Sequence, residues 1–236
     1  MPKGLQPKGV ARRNKMLLAA VQLFLENGYE KTTTAAIARA AGMAPSSFFA
    51  AFENKEALLL TLVQQMFNRQ FENAEQLLGE QKDPLMLYGI ETALQMYITE
   101  LSEPFRELYV MAYSLPTTCE YIYNNTAERL SVIFADYLPE AEKKDFYEMD
   151  IASGGITRGF MAKHCHLYFK IEDKIRRHLQ CCFTLYQVPK EKQDAVIDAV
   201  LEVDLQSIAQ KLIEDTIVQA HRGFEAVMTT KEGKKA

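Results

Sequence analysis

Apolar residues recur every three or four positions along almost the whole chain, which is the spacing of an amphipathic α-helix. The first such segment runs from about residue 11 to residue 27, and Gly28 is placed to end it as a C-terminal cap. Its apolar stripe consists of Leu17, Ala20, Val21, Phe24 and Leu25. Because no segment shows the strict alternation of a strand, the pattern predicts an all-α protein.

Two short helical segments are predicted next, at 34–41 and 45–52, with a turn containing Gly42 between them. Thr33 can cap the first of them, since its side chain can accept a hydrogen bond from a free N–H group. Pro45 suits the first position of the second, because a residue there has no intrahelical N–H bond to lose. Two short helices joined by such a turn, and braced by a preceding helix, form a helix-turn-helix.

Longer helices are predicted over the remainder, and five prolines lie near their starts. The predicted helices run from a cap at Asn54 to about residue 81 and then over 84–101, 104–114, 117–137, 140–169, 171–187 and 190–228. The pattern therefore indicates a small N-terminal unit followed by a larger helical domain.

Charge distinguishes the two parts. Residues 1–55 contain eight Lys or Arg and three acidic residues, a net charge of +5, whereas the remainder contains 19 basic and 28 acidic residues, a net charge of −9. Phosphate attracts a basic end and repels an acidic body, so the asymmetry favours a nucleic-acid partner for the N-terminal unit. Arg12 and Arg13 suit either phosphate contacts or a solvated surface, and charge alone leaves both open.

Composition is that of an ordinary globular protein, with 48% hydrophobic and 25% charged residues. We find no apolar run of membrane-spanning length and no secretory signal, so we expect a cytoplasmic protein without a membrane partner. The four cysteines show no CxxC spacing, and we expect them to be reduced, small hydrophobic residues.

The second short helix has the chemistry to approach a DNA groove. Phe48 and Phe52 are i,i+4 neighbours and are expected to face inward. The opposite, outward face consists of Pro45, Ser46, Phe49 and Ala50. Small side chains allow close approach to base edges, and the N–H groups at a helix start suit a phosphate.

The segment Leu17–Leu59 carries a family resemblance. Its sequence is LLAAVQLFLENGYEKTTTAAIARAAGMAPSSFFAAFENKEALL. The helix ending in Asn-Gly-Tyr, the threonine-started second helix, the Ala-Gly turn and the closing Phe-x-Asn-Lys-Glu-x-Leu resemble the TetR family of bacterial regulators in order and spacing. The resemblance implies a three-helix DNA-binding domain at 1–55 and a helical ligand-binding and dimerisation domain at 56–236.

The resemblance also implies which residues contact DNA, with Thr33 and Lys55 on phosphates. The implied contacts are Thr33, Pro45, Ser46, Ser47, Phe49, Ala50 and Lys55. Three departures matter. Ala44 occupies a position where the family often has a serine cap, and Phe49 one where it often has tyrosine. Ala50 and Ala51 occupy positions that often carry larger polar or aromatic residues. These changes leave little direct base hydrogen bonding, so affinity is expected to rest on phosphate contacts and DNA shape.

By the same resemblance, the expected function is that of a ligand-responsive regulator, a repressor released from double-stranded operator DNA by a small-molecule effector. Aromatic and methionine side chains between residues 60 and 187 suit a mostly apolar ligand. The candidate ligand-binding residues are Met66, Phe67, Met86, Tyr97, Tyr109, Tyr113, Tyr121, Phe160 and His164. A lipophilic cation is a further option if carboxylates are buried, although each is equally suited to the surface; the candidates are Glu91, Glu100, Glu120 and Asp150.

A homodimer is expected, because operators read by such heads are usually two-fold symmetric. The predicted helix 190–228 is the natural seam. Its apolar candidates are Val196, Val200, Val203, Ile208, Leu212, Ile217 and Phe224.

The main alternative is a helical small-molecule-binding protein or enzyme without DNA activity. No phosphate loop, nucleophile elbow or metalloprotease motif is present, so we expect no enzyme, no catalytic residue and no cofactor. A metal site is also not expected, since His164 and His166 would point about 200° apart on a helix. Binding of upstream DNA with steep salt dependence separates the regulator from this alternative.

Overall fold

The computed structural model describes the backbone of residues 7–78 and 83–229, and the side chains of residues 9–66 and 83–219. Within these ranges the chain is helical apart from its connections, which confirms the all-α prediction; β pairing is limited to an isolated bridge between His166 and Phe169. The helices are α1 Pro7–Asn27, α2 Thr34–Ala40, α3 Lys55–Leu78, α4 Pro84–Leu101, α5 Glu103–Ala112, α6 Pro116–Ile133, α7 Lys143–Ala162, α8 Ile171–Leu185, α9 Lys190–Leu201 and α10 Leu205–Thr229, with a short 3₁₀ helix at Pro45–Ser47.

The chain divides into two units. The first combines the residues up to Leu62 with those from Lys211 onward, and the second spans Val63–Gln210. The domain division predicted from the sequence, at residue 55, stays a prediction.

The N-terminal core forms where the apolar stripe of α1 meets α2 and the segment after it. Phe24, Ile37 and Phe48 are fully buried. Gly28 has a φ of 81°, a left-handed conformation that glycine adopts without a steric penalty, and it turns the chain so that Tyr29 packs on Phe24 with ring centroids 5.2 Å apart. Each such fully buried aromatic or aliphatic side chain contributes about 1.5–3 kcal/mol by the removal of apolar surface from water.

The core of the second unit surrounds α4, which packs against α5, α7, α8 and α9. Gly89 allows the close approach of α9, because a Cβ atom there would lie 2.7 Å from Cγ2 of Val200. Beside it, the rings of Phe134 and Tyr186 stack with centroids 4.1 Å apart. The helix is therefore buried on most of its surface, and its polar side chains are forced into the interior.

Two predicted long helices are wrong in extent. The predicted helix 140–169 ends at Ala162, because tertiary contacts take the backbone groups that would continue it: the carbonyl of Lys163 accepts from Lys174 Nζ, and the N–H of Cys165 donates to Glu100 Oε1 at 3.0 Å. The predicted helix 190–228 is broken into α9 and α10, since Asp204 Oδ1 accepts from the N–H of Ser207 at 3.1 Å and starts a new helix.

Candidate nucleic-acid interface

Helix α2 begins at a side-chain cap, as predicted. The hydroxyl oxygen of Thr33 accepts a hydrogen bond from the N–H of Ala36 at 3.1 Å, while Ile37 and Ala38 are buried against the core. Gly42, with a φ of 71°, then makes the turn, and the N–H of Met43 donates to the carbonyl of Ala38 at 2.9 Å. This geometry carries the chain outward at the point where the second element of the motif starts.

That second element is shorter than the predicted helix 45–52. Only Pro45–Ser47 is helical, in the 3₁₀ form, with an N–H···O bond of 2.9 Å from Ser47 to Ala44; turns follow up to Phe52. Ala44 makes no side-chain cap. A segment this short has a costly nucleation step, and without a capping side chain it loses about 1 kcal/mol that would favour a regular helix.

The short element nevertheless separates an inner from an outer face. Phe48 is fully buried and Phe52 nearly so, whereas Phe49 is 64% exposed. The outer surface consists of Pro45, Ser46, Phe49 and Ala50, all exposed, with Ser47 partly exposed beside them. The structure thus brings together five of the seven implied DNA contacts on one surface.

An open cleft lies against this surface, with a volume of about 420 Å³. Its walls are formed by Ala11, Arg12, Lys15, Gly42, Met43, Ala44 and Ser47. Two cations therefore lie across the cleft from the turn that leads into the 3₁₀ helix. Lys15 was missed by the sequence reasoning, although its i,i+3 spacing from Arg12 already puts both on one side of α1.

Arg13 has a different role from Arg12. Its guanidinium donates to the carbonyl of Ala51 at 2.9 Å and to Oγ1 of Thr61 at 2.8 Å, and it lies 4.2 Å from the ring centroid of Phe52. These contacts tie α1 and α3 to the end of the exposed segment. Arg13 therefore has a structural role. Neither of the two alternatives left open for it, a phosphate contact or a solvated surface charge, describes this role.

Lys55 is also turned toward the protein. Its ammonium donates to the carbonyls of Tyr29 at 2.8 Å and Thr32 at 3.1 Å, and it lies 4.1 Å from the centroid of the Tyr29 ring. Burial, with the nearby carboxylates of Glu56 and Glu30, raises the pKa of Tyr29 to about 12. Lys55 therefore fixes the loop that precedes Thr33, and a phosphate contact by Lys55 stays a prediction.

The candidate ligand-binding residues do not form a single group. Tyr109 is buried and Phe160 packs edge-on against His178, with ring centroids 5.7 Å apart. His164 is exposed, 3.4 Å from Oε2 of Glu103. Partly buried positions are occupied by Met66, Met86, Tyr97, Tyr113 and Tyr121, while the side chain of Phe67 lies outside the described residues. Ligand contact by any of them stays a prediction.

The four carboxylates considered for a cationic ligand divide into three settings. Glu120 is exposed and accepts a hydrogen bond from Tyr147, whereas Glu91 and Asp150 are each only 5% exposed. Glu100 is held by Lys174 Nζ at 2.8 Å and by Arg106 at 3.5 Å. Burial opposes its ionisation, but the hydrogen bonds from Lys174 and the N–H of Cys165 and these positive charges lower its pKa to about 2.

Glu91 and Asp150 lie among polar groups rather than ion pairs. Glu91 accepts from the amide of Gln95 at 2.7 Å, and Asp150 accepts from the hydroxyl of Ser153 at 2.6 Å. Tyr186 donates to the same Ser153 hydroxyl at 3.0 Å. Glu91 and Asp150 are candidates from the sequence, but their partners Gln95 and Ser153 were missed by the sequence reasoning. Periodicity could have found these partners, because Asp150 and Ser153 share one face of α7, and Glu91 and Gln95 one face of the otherwise apolar α4.

The fold is all-α, and its N-terminal unit exposes the short second element of a helix-turn-helix beside a cationic cleft. These features define a helix-turn-helix DNA-binding protein. Residues 16–62 match the family model described as bacterial regulatory proteins, tetR family. The chain is 26% identical over 162 residues to the uncharacterised HTH-type transcriptional regulator YvkB of Bacillus subtilis, covering 67% of this chain and 78% of that protein. It is 28% identical over 184 residues to IcaR of Staphylococcus epidermidis, a negative transcriptional regulator of the biofilm operon icaADBC, covering 75% of this chain and 97% of that protein.

Solved structures share the fold at low sequence identity. RolR in complex with resorcinol superposes with a TM-score of 0.63 at 13% identity, over 83% of this chain and 96% of RolR. SmeT, the repressor of the Stenotrophomonas maltophilia multidrug efflux pump SmeDEF, gives 0.51 at 18% identity, over 73% and 88%. The N-terminal region of the chain thus matches the TetR family, and the protein is a DNA-binding transcription regulator, as the motif predicted. In the part of the chain that the structure describes, none of the helices is both long and apolar enough to cross a lipid bilayer.

Proposed function

We propose that this chain acts as a homodimeric, cytoplasmic repressor that leaves its operator when a mostly apolar small molecule binds within Val63–Gln210. The observation that carries the DNA-binding part is the exposed surface around Ser46 and Phe49, which adjoins the cleft with Arg12 and Lys15. Repression and ligand control rest on relatives, since IcaR and SmeT are named as repressing regulators and RolR is solved with resorcinol.

The contacts with DNA divide by chemistry. Arg12 and Lys15 supply charge for the phosphate backbone, which sets affinity and orientation without reading sequence. Ser46 and Ser47 carry hydroxyls that can bond to base edges or phosphates, and the exposed ring of Phe49 suits thymine methyl groups. Such a set favours strong dependence on salt and modest discrimination between bases.

A dimer seam fits α10 better than α9. Val196 and Val200 are buried in the core of their own unit, so they are not free to form an interface. On α10, Ile208, Leu212 and Ile217 are partly exposed, and Val218 is 44% exposed; Phe224 lies outside the described side chains. This apolar stripe at helical spacing is typical of a helix that packs against a partner.

The ligand acts only if it binds the DNA-incompetent state more tightly than the competent one. A coupling free energy of about 1–3 kcal/mol is typical of such switches. We also propose that the chain has no enzymatic activity, because the comparisons name regulators and the functional chemistry lies in DNA and ligand contacts.

Binding to the DNA upstream of its own gene tests the proposal. Fluorescence anisotropy at several salt concentrations is measured for the wild-type protein and for Arg12→Gln and Lys15→Gln. Each substitution should weaken binding to all operator variants by a similar factor and lower the salt slope by about 1. Lys144→Gln is the matched control, since Lys144 is 77% exposed on α7 in the other unit.

Two results would contradict it. If Arg12→Gln and Lys15→Gln both leave the affinity and the salt slope unchanged, the cleft is not part of the DNA interface. A wild-type protein that binds upstream DNA no better than unrelated DNA removes the repressor assignment, and sedimentation of a stable monomer at micromolar concentration removes the dimer.

A further inference from the structure

Buried hydrogen-bond acceptors without donors are concentrated in the core of the second unit. Among the described residues, four buried side-chain atoms have no hydrogen-bond partner: Oε1 of Gln95, Oγ1 of Thr126, Oδ2 of Asp150 and Nδ1 of His178. The side chains of Gln95, Asp150 and His178 are 4%, 5% and 0% exposed. Leaving such a group unpaired costs about 1–3 kcal/mol, so each one needs an explanation.

The role of Nδ1 on the His178 ring depends on which ring nitrogen carries the proton. Burial lowers the pKa of His178 to about 4, so the imidazole is neutral at neutral pH. The hydroxyl of Thr157 donates to the carbonyl of Ser153 at 2.8 Å and lies 2.9 Å from Nε2 of His178. Nε2 also lies 3.6 Å from Sγ of Cys182. In the tautomer with the proton on Nε2, this nitrogen donates to Thr157 and Nδ1 is left as an unpaired acceptor.

The unpaired oxygens of Gln95 and Asp150 both require a hydrogen-bond donor. Gln95 donates its amide N–H to Glu91, which leaves its carbonyl oxygen unpaired. Asp150 has one oxygen bonded to Ser153 and the other unpaired. A ligand rich in N–H groups matches this set, whereas an anion is repelled by it.

The two carboxyls belong to one region, because Tyr113 lies between their helices. The charges of Glu91 on α4 and Asp150 on α7 both act on it, and its ring carbon Cδ1 lies 3.6 Å from where a Cβ atom on Gly154 of α7 would be. Gly154 is one turn beyond Asp150 on the same helix. The pKa of Tyr113 is raised first by burial and then by the charges of Glu91 and Asp150.

We propose that this cluster, Glu91, Gln95, Asp150 and Tyr113, is the recognition site for an organic cation with an aromatic or other apolar body. The ammonium or amidinium group donates to the oxygens of Asp150 and Gln95 and is neutralised by the two carboxylates. Tyr113 and the buried ring of Tyr109 contact both parts of the ligand, since an aromatic face attracts a cation at close range and packs against an apolar body. The inference rests on the proposed ligand control and names its ligand class.

Three probes of similar size separate charge from shape. Naphthylmethylammonium is cationic, naphthylmethanol neutral and naphthoate anionic. The chain has no tryptophan, so naphthalene fluorescence is read over a low background. The full-length protein should bind the ammonium probe about tenfold or more tightly than the alcohol and should bind naphthoate least.

Glu91→Gln and Asp150→Asn should remove most of that preference for the cation while leaving the affinity for naphthylmethanol unchanged. Both should also raise the melting temperature of the ligand-free protein, because they remove a buried ionisable group but keep an oxygen for Gln95 or Ser153. The matched control is Glu148→Gln, since Glu148 lies on α7 near Asp150 but is 58% exposed, and it should change neither quantity.

The outcomes are distinguishable. Equal binding of the cation and the alcohol, no binding of the cation, or variants that bind the cation like the wild type would overturn the site. Anisotropy with upstream DNA in the absence of probes is measured in parallel. If DNA binding is present and cation selectivity absent, only this inference fails; if DNA binding is absent and cation selectivity present, only the proposed repressor function fails.

Discussion

The ligand-free protein is expected to become more stable when Glu91 is replaced by glutamine, and the gain is expected to depend on pH. Burial raises the pKa of Glu91 to about 7, although Gln95 and the charge of Arg129 oppose the rise, and the charge of Asp150 adds to it. The ordinary pKa of a glutamate side chain is 4.5, so the folded state binds the proton more tightly than the unfolded state does.

The sign of the pH dependence follows from this difference. Between pH 4.5 and pH 7 the unfolded chain releases the proton while the folded chain keeps it, so wild-type stability falls as the pH rises through this window. At about 1.4 kcal/mol per pKa unit, the loss is about 3 kcal/mol at pH 8 and less than about 1 kcal/mol at pH 5. Glutamine does not ionise, and its carbonyl oxygen can still accept from Gln95.

Urea denaturation at the two pH values measures the effect, with Glu148→Gln as the control. The free energy of unfolding of Glu91→Gln should exceed that of the wild type by about 2 kcal/mol more at pH 8 than at pH 5. The same difference at both pH values would show that Glu91 is solvated or paired in the folded protein. That result would also remove the energetic basis of the cation site.

Three further substitutions test other parts of the structure. Ala44→Ser should stabilise the N-terminal unit by about 1 kcal/mol and tighten operator binding, since Ala44 has the extended backbone of a capping residue. Thermal melting and fluorescence anisotropy measure the two effects, and an unchanged melting temperature would refute the prediction. Lys55→Met should lower the free energy of unfolding by about 2 kcal/mol, measured by urea denaturation, because two hydrogen bonds from a charged donor are lost. An unchanged free energy of unfolding would contradict the structural role of Lys55 and leave only the predicted phosphate contact. Glu100→Gln should lower the free energy of unfolding by about 3 kcal/mol at pH 7, because Lys174 is left buried without its counter-charge. The stability advantage of the wild type should disappear as the pH falls from 4.5 toward 2. A variant as stable as the wild type at pH 7 would contradict the ion-pair argument.

The structure also explains why carboxylates of equal appearance in the sequence differ in role. Glu100 and Glu91 both lie on α4, but Glu100 meets Lys174 and Arg106, whereas Glu91 meets the amide of Gln95. The first is stabilised in its charged form and the second in its neutral form. Only the second gains by binding a cation, which is why the proposed site includes Glu91 and not Glu100.

Local sequence determined the helical fold and the DNA-binding motif. These features depend only on residues close to them in sequence, so they could be predicted from the sequence alone. They are the apolar period of α1, the cap at Thr33 and the turn at Gly42. The motif also predicted the family whose model matches residues 16–62, and the exposed surface at Pro45–Ala50 follows from the inward direction of Phe48. These features need no knowledge of distant parts of the chain.

Tertiary structure alone decided the rest, because the deciding partners are far apart in sequence. The helix end at Ala162 depends on Lys174 and Glu100, and the inward turn of Arg13 depends on Thr61. The burial of Asp150 depends on helices that pack around it. A charged side chain has the same local signature whether it is solvated, paired or buried, and only the packing of remote helices sets the dielectric and the hydrogen bonds that choose between these states.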